Sequence, residues 1–313
     1  MIFRRKKTPD AGAAQAPAHD APKPGRLWRW FASRRTWVPP GHFYSPIADL
    51  HDIAARAKTI FDPDAPLPDV DLAAASQRAL WDKFAAHAAR FTIVFSQDEA
   101  ARAGLRYYSG NDHFGPGDAT IYAGMLLEHR PRRVIEVGSG FSSALFLDIN
   151  AKFFGGEIAA TFIEPYPARL LALLTDADRA RTRLLRQTVQ SVPLEVFADL
   201  EAGDILFVDS THVAKAGSDV NHIFFRVLPV LKPGVLIHFH DIFHPFEYPR
   251  EWFFDGNRSW NELYLLRAFL MNNANYRVLF FSSWFAHAHP ECQDVLPNFW
   301  DNPGGGFWMR KER

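Results

Sequence analysis

The sequence predicts an α/β fold: a mostly parallel, Rossmann-like sheet with helices on both faces, preceded by an N-terminal helical cap. Three observations predict it. From about residue 119, short apolar runs of strand length alternate with helical stretches, as in βαβ units. The first of those runs passes directly into a glycine turn and a helix start, Val137-Gly138-Ser139-Gly140-Phe141. Before residue 119 the apolar spacing is helical only, in two segments separated by prolines.

Taken in order, residues 1–26 are basic, then rich in alanine and proline, and lack apolar periodicity. They are expected to be disordered and to begin a tail over 1–40. Trp28, Trp30 and Trp37 stand among Arg29, Arg34 and Arg35. Such a mixture suits contact with an anionic membrane or a partner. The simpler reading is a tail whose tryptophans dock on the protein's own surface. A cap and lid are expected over 41–118. Within it a helix over 47–62 carries Ile47, Leu50, Ile53, Ala54, Ala57 and Ile60 and stops at Asp62-Pro63. Pro63, Pro66 and Pro68 make a linker, and a second helix over 71–91 buries Leu72, Leu80, Trp81 and Phe84. The polar, glycine-containing stretch from Tyr107 to Asp118 suits a lid, or Asp118 caps the helix that starts at Ala119.

The main domain is expected over 119–313. Its strands are Arg133–Val137, Ala159–Ile163, Arg183–Arg186, Asp204–Val208, Val235–Phe239, Arg277–Phe281 and Phe307–Met309. Helices are expected at 119–129, 141–153, 167–175, 219–231 and 261–273, with Asp219 as the N-cap of the fourth. Gly304-Gly305-Gly306 reads as a flexible turn into the last strand. Parallel sheets of this kind bind ligands outside the carboxyl ends of their strands, at the switch point.

The totals narrow the function. The chain has 313 residues and a formal net charge of zero, which gives no case for nucleic acid as a partner. An apolar fraction of 48% and an aromatic fraction of 14% exclude global disorder. A single cysteine, Cys292, forms no intrachain disulfide and points to a reducing, cytoplasmic setting. No run approaches the ~18 apolar residues of a membrane span. The basic start lacks the apolar stretch of a signal peptide, so secretion is not expected.

The glycine turn carries the first chemistry. Glycine lets the backbone turn sharply and come close to a ligand, and the helix start offers unpaired N–H groups. Glu136 stands two residues before Gly138 in an otherwise apolar strand, where a carboxylate needs a partner. The cationic amino group of a methionine moiety suits it, and a pyrophosphate does not. Ser143 occupies the place of the third glycine of the dinucleotide fingerprint. The second strand ends in Glu164, an acid suited to ribose hydroxyls and set near the roughly 20-residue spacing of such acids. S-adenosylmethionine is therefore the expected cofactor, with NAD as the alternative that Glu164 also fits. The contacts expected are Glu136, Gly138, Ser139, Gly140, Ser142, Glu164, Asp209 and Gln190, the last after the third strand.

Glu136-Val137-Gly138-Ser139-Gly140 resembles the first motif of class I S-adenosylmethionine-dependent methyltransferases. Gly203-Asp204-Ile205-Leu206-Phe207-Val208-Asp209 resembles their motif at the end of the fourth strand, and Leu231-Lys232-Pro233-Gly234-Val235 the turn into the fifth. Asp209-Ser210-Thr211-His212, Gly217-Ser218-Asp219-Val220-Asn221 and His238-Phe239-His240-Asp241-Ile242-Phe243 are similar to a bacterial subgroup, the "methyltransferase 24" type. The resemblance spans roughly residues 40–313. It implies a seven-stranded sheet whose last strand is antiparallel.

Asp209 ends the fourth strand and His240-Asp241 the fifth, so in a doubly wound sheet they converge near the bound methyl group, with His212 just beyond. Two carboxylates and an imidazole suit a divalent metal held by Asp209, His240 and Asp241. The same residues and His212 suit general-base work on an acceptor hydroxyl. The arrangement is similar to catechol-type O-methyltransferases, with His240-Asp241 where those have an acid–amide pair. His238, deeper on the strand, reads as a satisfied core histidine. The aromatic stretch from His244 to Trp252 suits an acceptor pocket or plain packing, and Glu262 opens an apolar helix. The expected reaction is O-methylation of a small-molecule or sugar-like acceptor. A nicotinamide-dependent oxidoreductase and a non-catalytic scaffold are the alternatives.

Overall fold

The computed structural model describes residues 37–91 and 104–313. Of the tail expected over 1–40, residues 1–36, with Trp28 and Trp30, lie outside the described residues, as does 92–103. Contacts divide the chain after Pro39, and Pro40–Arg313 form one compact unit. No helix among the described residues is long and apolar enough to cross a membrane.

Seven strands form one sheet: β1 (Arg133–Val137), β2 (Ala159–Ile163), β3 (Arg183–Leu185), β4 (Ile205–Val208), β5 (Leu236–Phe239), β6 (Tyr276–Phe281) and β7 (Phe307–Lys311). Their spatial order is β3-β2-β1-β4-β5-β7-β6. The first five are parallel, and β7 runs antiparallel between β5 and β6. The order reverses between β1 and β4, which makes that seam the switch point.

Period-two alternation sets the two cores. Val134, Ile205, Phe207 and Leu236 face one side with Trp308. Ile135, Val137, Leu206, Val208, Ile237 and Phe239 face the other. A one-residue slip would exchange the faces, so burial on both sides fixes the register. The helices Ala74–Ala86, Pro116–His129 and Phe141–Phe154 cover the first side; Glu262–Leu270 and the segment from Asp219 to Val230 cover the second.

Register also levels the strand ends. Val137 pairs with Ile163 and with Val208, and Val208 pairs with Phe239. Gly138, Glu164, Asp209 and His240 are the next residues on their strands, so they emerge together on one rim.

Several elements depart from the sequence reading for identifiable reasons. The second cap helix begins at Ala74 because Asp71 Oδ1 accepts Ala73 N–H at 2.8 Å and Ala73 takes a left-handed φ of +50°. The helix over 47–62 is instead two short ones, Leu50–Ala55 and Ala57–Ile60, broken at Arg56. Between β4 and β5 the helix widens into a π turn over Ile223–Val227. Pro229 follows; it has no N–H and its ring crowds the carbonyl four residues back, so the wider turn relieves both defects. Ser218, not Asp219, is the N-cap there, its side chain accepting Asn221 N–H. Asp219 instead accepts from the backbone N–H and hydroxyl of Thr211, at 2.9 and 2.6 Å.

Candidate active site

The rim is built first by glycine. Gly138 has φ +81°, and a Cβ there would stand 1.7 Å from the backbone oxygen of Asp209. Only a residue without a side chain lets the β1 turn lie against the end of β4. Ser139 N–H, freed by this turn, donates to Glu164 Oε2 at 3.2 Å, and Tyr166 N–H donates to Oε1 at 2.8 Å. Glu164 is thereby fixed beside the glycine loop with part of its carboxylate exposed.

Glu136 is fully buried. Its Oε1 accepts from the Ser142 hydroxyl, and Oε2 has no partner. Burial pushes its carboxyl up to about 8, against the hydrogen bond of Ser142. A neutral acid with one free oxygen beside a glycine loop is prepared to ionise when a cation arrives. Gln190 is exposed, and its amide donates to the Gly217 carbonyl at 3.0 Å.

At the ends of β4 and β5 the second group assembles. His212 Nε2 lies 3.3 Å from Asp209 Oδ1 and 3.5 Å from Asp241 Oδ2. His240 Nδ1 lies 3.6 Å from Asp209 Oδ1 and 3.4 Å from Asp241 Oδ1. His212 and Asp241 both hold φ +58°, strained backbone that aims their side chains inward. The four residues expected from the sequence are thus brought together. Asp209, with 31% of its side chain exposed, is the member most open to solvent.

Two further acids complete the group. Glu262 Oε2 lies 2.9 Å from His212 Nδ1. The sequence singled Glu262 out without giving it a role. Asp118 Oδ2 lies 3.4 Å from His240 Nε2. It is not the cap of a helix starting at Ala119: the helix begins at Pro116 with Gly115 as N-cap, which puts Asp118 in its buried first turn. Gly117 and Gly304 make this possible. A Cβ on Gly117 would stand 2.1 Å from Asn302 O, and one on Gly304 2.0 Å from Asp118 Oδ2. Gly304-Gly305-Gly306 is therefore a packed turn under Asp118 and Asp241, and the glycine run was the signal that could have revealed it.

The charges support one another. Burial works against His240 and His212, yet the surrounding carboxylates raise His240 well above its ordinary value and His212 to about 10. Partial desolvation works against Asp209, but the two imidazoles hold its carboxyl below the ordinary carboxylate range. Burial raises Asp118 and Glu262. His238 is buried between Phe207 and Trp308, at ring distances of 4.0 and 4.5 Å, and burial lowers it well below the usual value. It is a core residue, but both its ring nitrogens lack hydrogen-bond partners.

Asp209, His240 and Asp241 offer one donor atom each, all within 4.8 Å of one another, a spacing from which a small contraction would surround a divalent ion. Two surface clefts open elsewhere, at the amino ends of the strands beside Arg130 and Arg133.

The family model described as "Methyltransferase domain" matches residues 135–242, the stretch from β1 to just past Asp241. A protein of unassigned function from Archaeoglobus fulgidus is 35% identical over 167 residues, 52% of this chain and 73% of that protein. Among solved structures, the SAH-bound methyltransferase PaMTH1 of Podospora anserina is 14% identical over 84% of this chain and 97% of that one, with a TM-score of 0.42. The O-methyltransferase TomG from Streptomyces achromogenes, in complex with SAM, is 12% identical over 72% and 95%, with a TM-score of 0.41. The cmcI-N160 SAH structure is 19% identical with a TM-score of 0.32; the match covers 43% of this chain and 64% of that one, just under two thirds.

Proposed function

This chain belongs to the class I S-adenosylmethionine-dependent methyltransferase family, and we propose that it moves the methyl group of S-adenosylmethionine onto an oxygen of a small-molecule or sugar-like acceptor. One observation carries the reading. The glycine loop and Glu164 stand on the same rim as Asp209, His212, His240 and Asp241, next to them across the β1–β4 seam. Cofactor and acceptor chemistry would thus meet at adjacent strand ends.

The chain's own residues suffice for the steps. Glu164 receives the ribose hydroxyls. Glu136 Oε2, unpartnered and buried, takes the ammonium of the methionine moiety. The acceptor hydroxyl donates to Asp209, the most exposed acid of the group. Its oxygen attacks the methyl carbon as the carbon–sulfur bond breaks, and the electron pair stays on sulfur to give neutral S-adenosylhomocysteine. The attacking hydroxyl becomes strongly acidic only as the new bond forms, so a carboxylate held low still takes its proton. His212 and His240 hold the carboxylates in place, and most of the acceleration comes from alignment.

A divalent cation on Asp209, His240 and Asp241 would polarise the acceptor oxygen and lower its pKa. The donor spacing favours it; His212 already supplies positive charge to the same two carboxylates.

The test is transfer of label from methyl-labelled S-adenosylmethionine to phenolic, sugar and hydroxy-acid acceptors, with magnesium, with manganese and with chelator. Labelled methyl ethers, lost in Asp209→Asn, support the reading. Cofactor binding without transfer to any acceptor would move the chain to the scaffold alternative.

A further inference from the structure

The aromatic stretch after β5 leads away from the candidate site to a cation. Trp260 stacks beside His212, with ring centres 4.5 Å apart. This placement is locked by the backbone: His212 O accepts Asn261 N–H at 3.1 Å and Glu262 N–H at 3.2 Å. The Asn261 side chain also bonds both backbone groups of Ala214, at 2.6 and 3.2 Å. Trp252 packs edge-on to Trp260 at 5.2 Å. The Arg258 guanidinium lies over both rings, 4.3 Å from the Trp252 centre and 4.7 Å from that of Trp260.

Arg258 is exposed, and among the described residues it forms no ion pair. A guanidinium laid on ring faces keeps its N–H edge free, and that edge matches the two oxygens of a planar oxyanion. Two indoles hold it where a flexible side chain would otherwise wander, so little freedom remains to be lost on binding. One indole separates this cation from His212 and the acids that face it.

We propose that Arg258 with Trp252 and Trp260 forms the acceptor subsite, and that the acceptor is a flat hydroxylated molecule bearing a carboxylate or phosphate across one ring from the hydroxyl that is methylated. The acceptor's ring passes the edge of Trp260, whose faces already carry His212 and Arg258, so that the anion meets Arg258 and the hydroxyl points towards Asp209. This rests on the methyl-transfer reading.

The test uses the full chain saturated with S-adenosylhomocysteine and three calorimetric probes: 4-hydroxybenzoate, 4-hydroxyphenyl phosphate and the uncharged methyl 4-hydroxybenzoate. One or both anions should bind about tenfold or more tighter than the ester, as expected for a charge-assisted bidentate contact. Which anion binds better separates carboxylate from phosphate acceptors. Arg258→Gln should erase that preference and leave S-adenosylhomocysteine affinity unchanged, since the side chain is exposed and lies on Trp252 and Trp260. Equal binding of ester and anions, a preference that survives Arg258→Gln, or no binding of any probe to the loaded protein overturns the subsite while leaving methyl transfer standing. Failure of S-adenosylhomocysteine itself to bind takes down the methyl-transfer reading first.

Discussion

Glu262 Oε2 lies 2.9 Å from His212 Nδ1, with only 1% and 5% of the two side chains exposed. The contact fixes the imidazole so that Nε2 meets Asp209 and Asp241. Glu262→Ala leaves a buried imidazole half-partnered, at a cost of about 1–3 kcal/mol. The melting temperature should fall and kcat should drop by roughly tenfold or more. Cofactor affinity should hold within about twofold, because Glu262 reaches the glycine loop only through His212 and Asp209; Glu262→Gln, which keeps an acceptor oxygen, should recover much of kcat. Equal losses of turnover and cofactor binding would contradict this positioning role.

The same pair predicts an alkaline limit. Burial alone would lower His212, but hydrogen bonds to Asp209 and Glu262 raise it to about 10. A histidine raised in the folded state contributes stability that is complete below its unfolded value near 6.5 and is lost as pH climbs through 10. Thermal melts from pH 6 to 10.5 should show this fall, and His212→Asn should flatten it.

Glu136 predicts proton release. Burial raises its carboxyl to about 8, so at pH 7 the free protein holds it mostly protonated. An ammonium against Oε2 favours the ionised form, and cofactor binding should expel a proton. Calorimetry in buffers of different ionisation enthalpy should report on the order of one proton at pH 7. Glu136→Gln should abolish it.

Substitutions at three glycines separate binding from turnover. Gly138→Val, and even Gly138→Ala, drives a side chain into Asp209 O, where no rotamer relieves it, and should abolish cofactor binding. Gly140→Ala meets only the flexible Arg169 side chain at 3.2 Å and should cost far less. Gly304→Ala, at φ +73°, would press on the Asp118 carboxylate. It should pull Asp118 from His240 and lower kcat with cofactor affinity kept.

Much of this was legible in the sequence because its causes are local. Short apolar runs alternating with helical stretches gave β1 to β5, and a glycine turn with acids two residues before it and at the next strand end marked the rim. Asp209, His240 and Asp241 followed from strand order alone. Asp118 was misread because its partner is 122 positions away and its burial depends on Gly304, on the far side of the chain in sequence. Helix Ser282–Ala288 starts at the residue after β6 with no breaker between them, so nothing in the pattern announces it. The π turn reflects Pro229 acting backwards on residues whose own spacing is plainly helical.

The central claim is that the rim binds S-adenosylmethionine, and titration calorimetry with S-adenosylhomocysteine, with NAD in parallel, tests it most directly. The account predicts micromolar binding of the homocysteine compound and none of NAD. Binding of NAD alone, or of neither ligand, would contradict it.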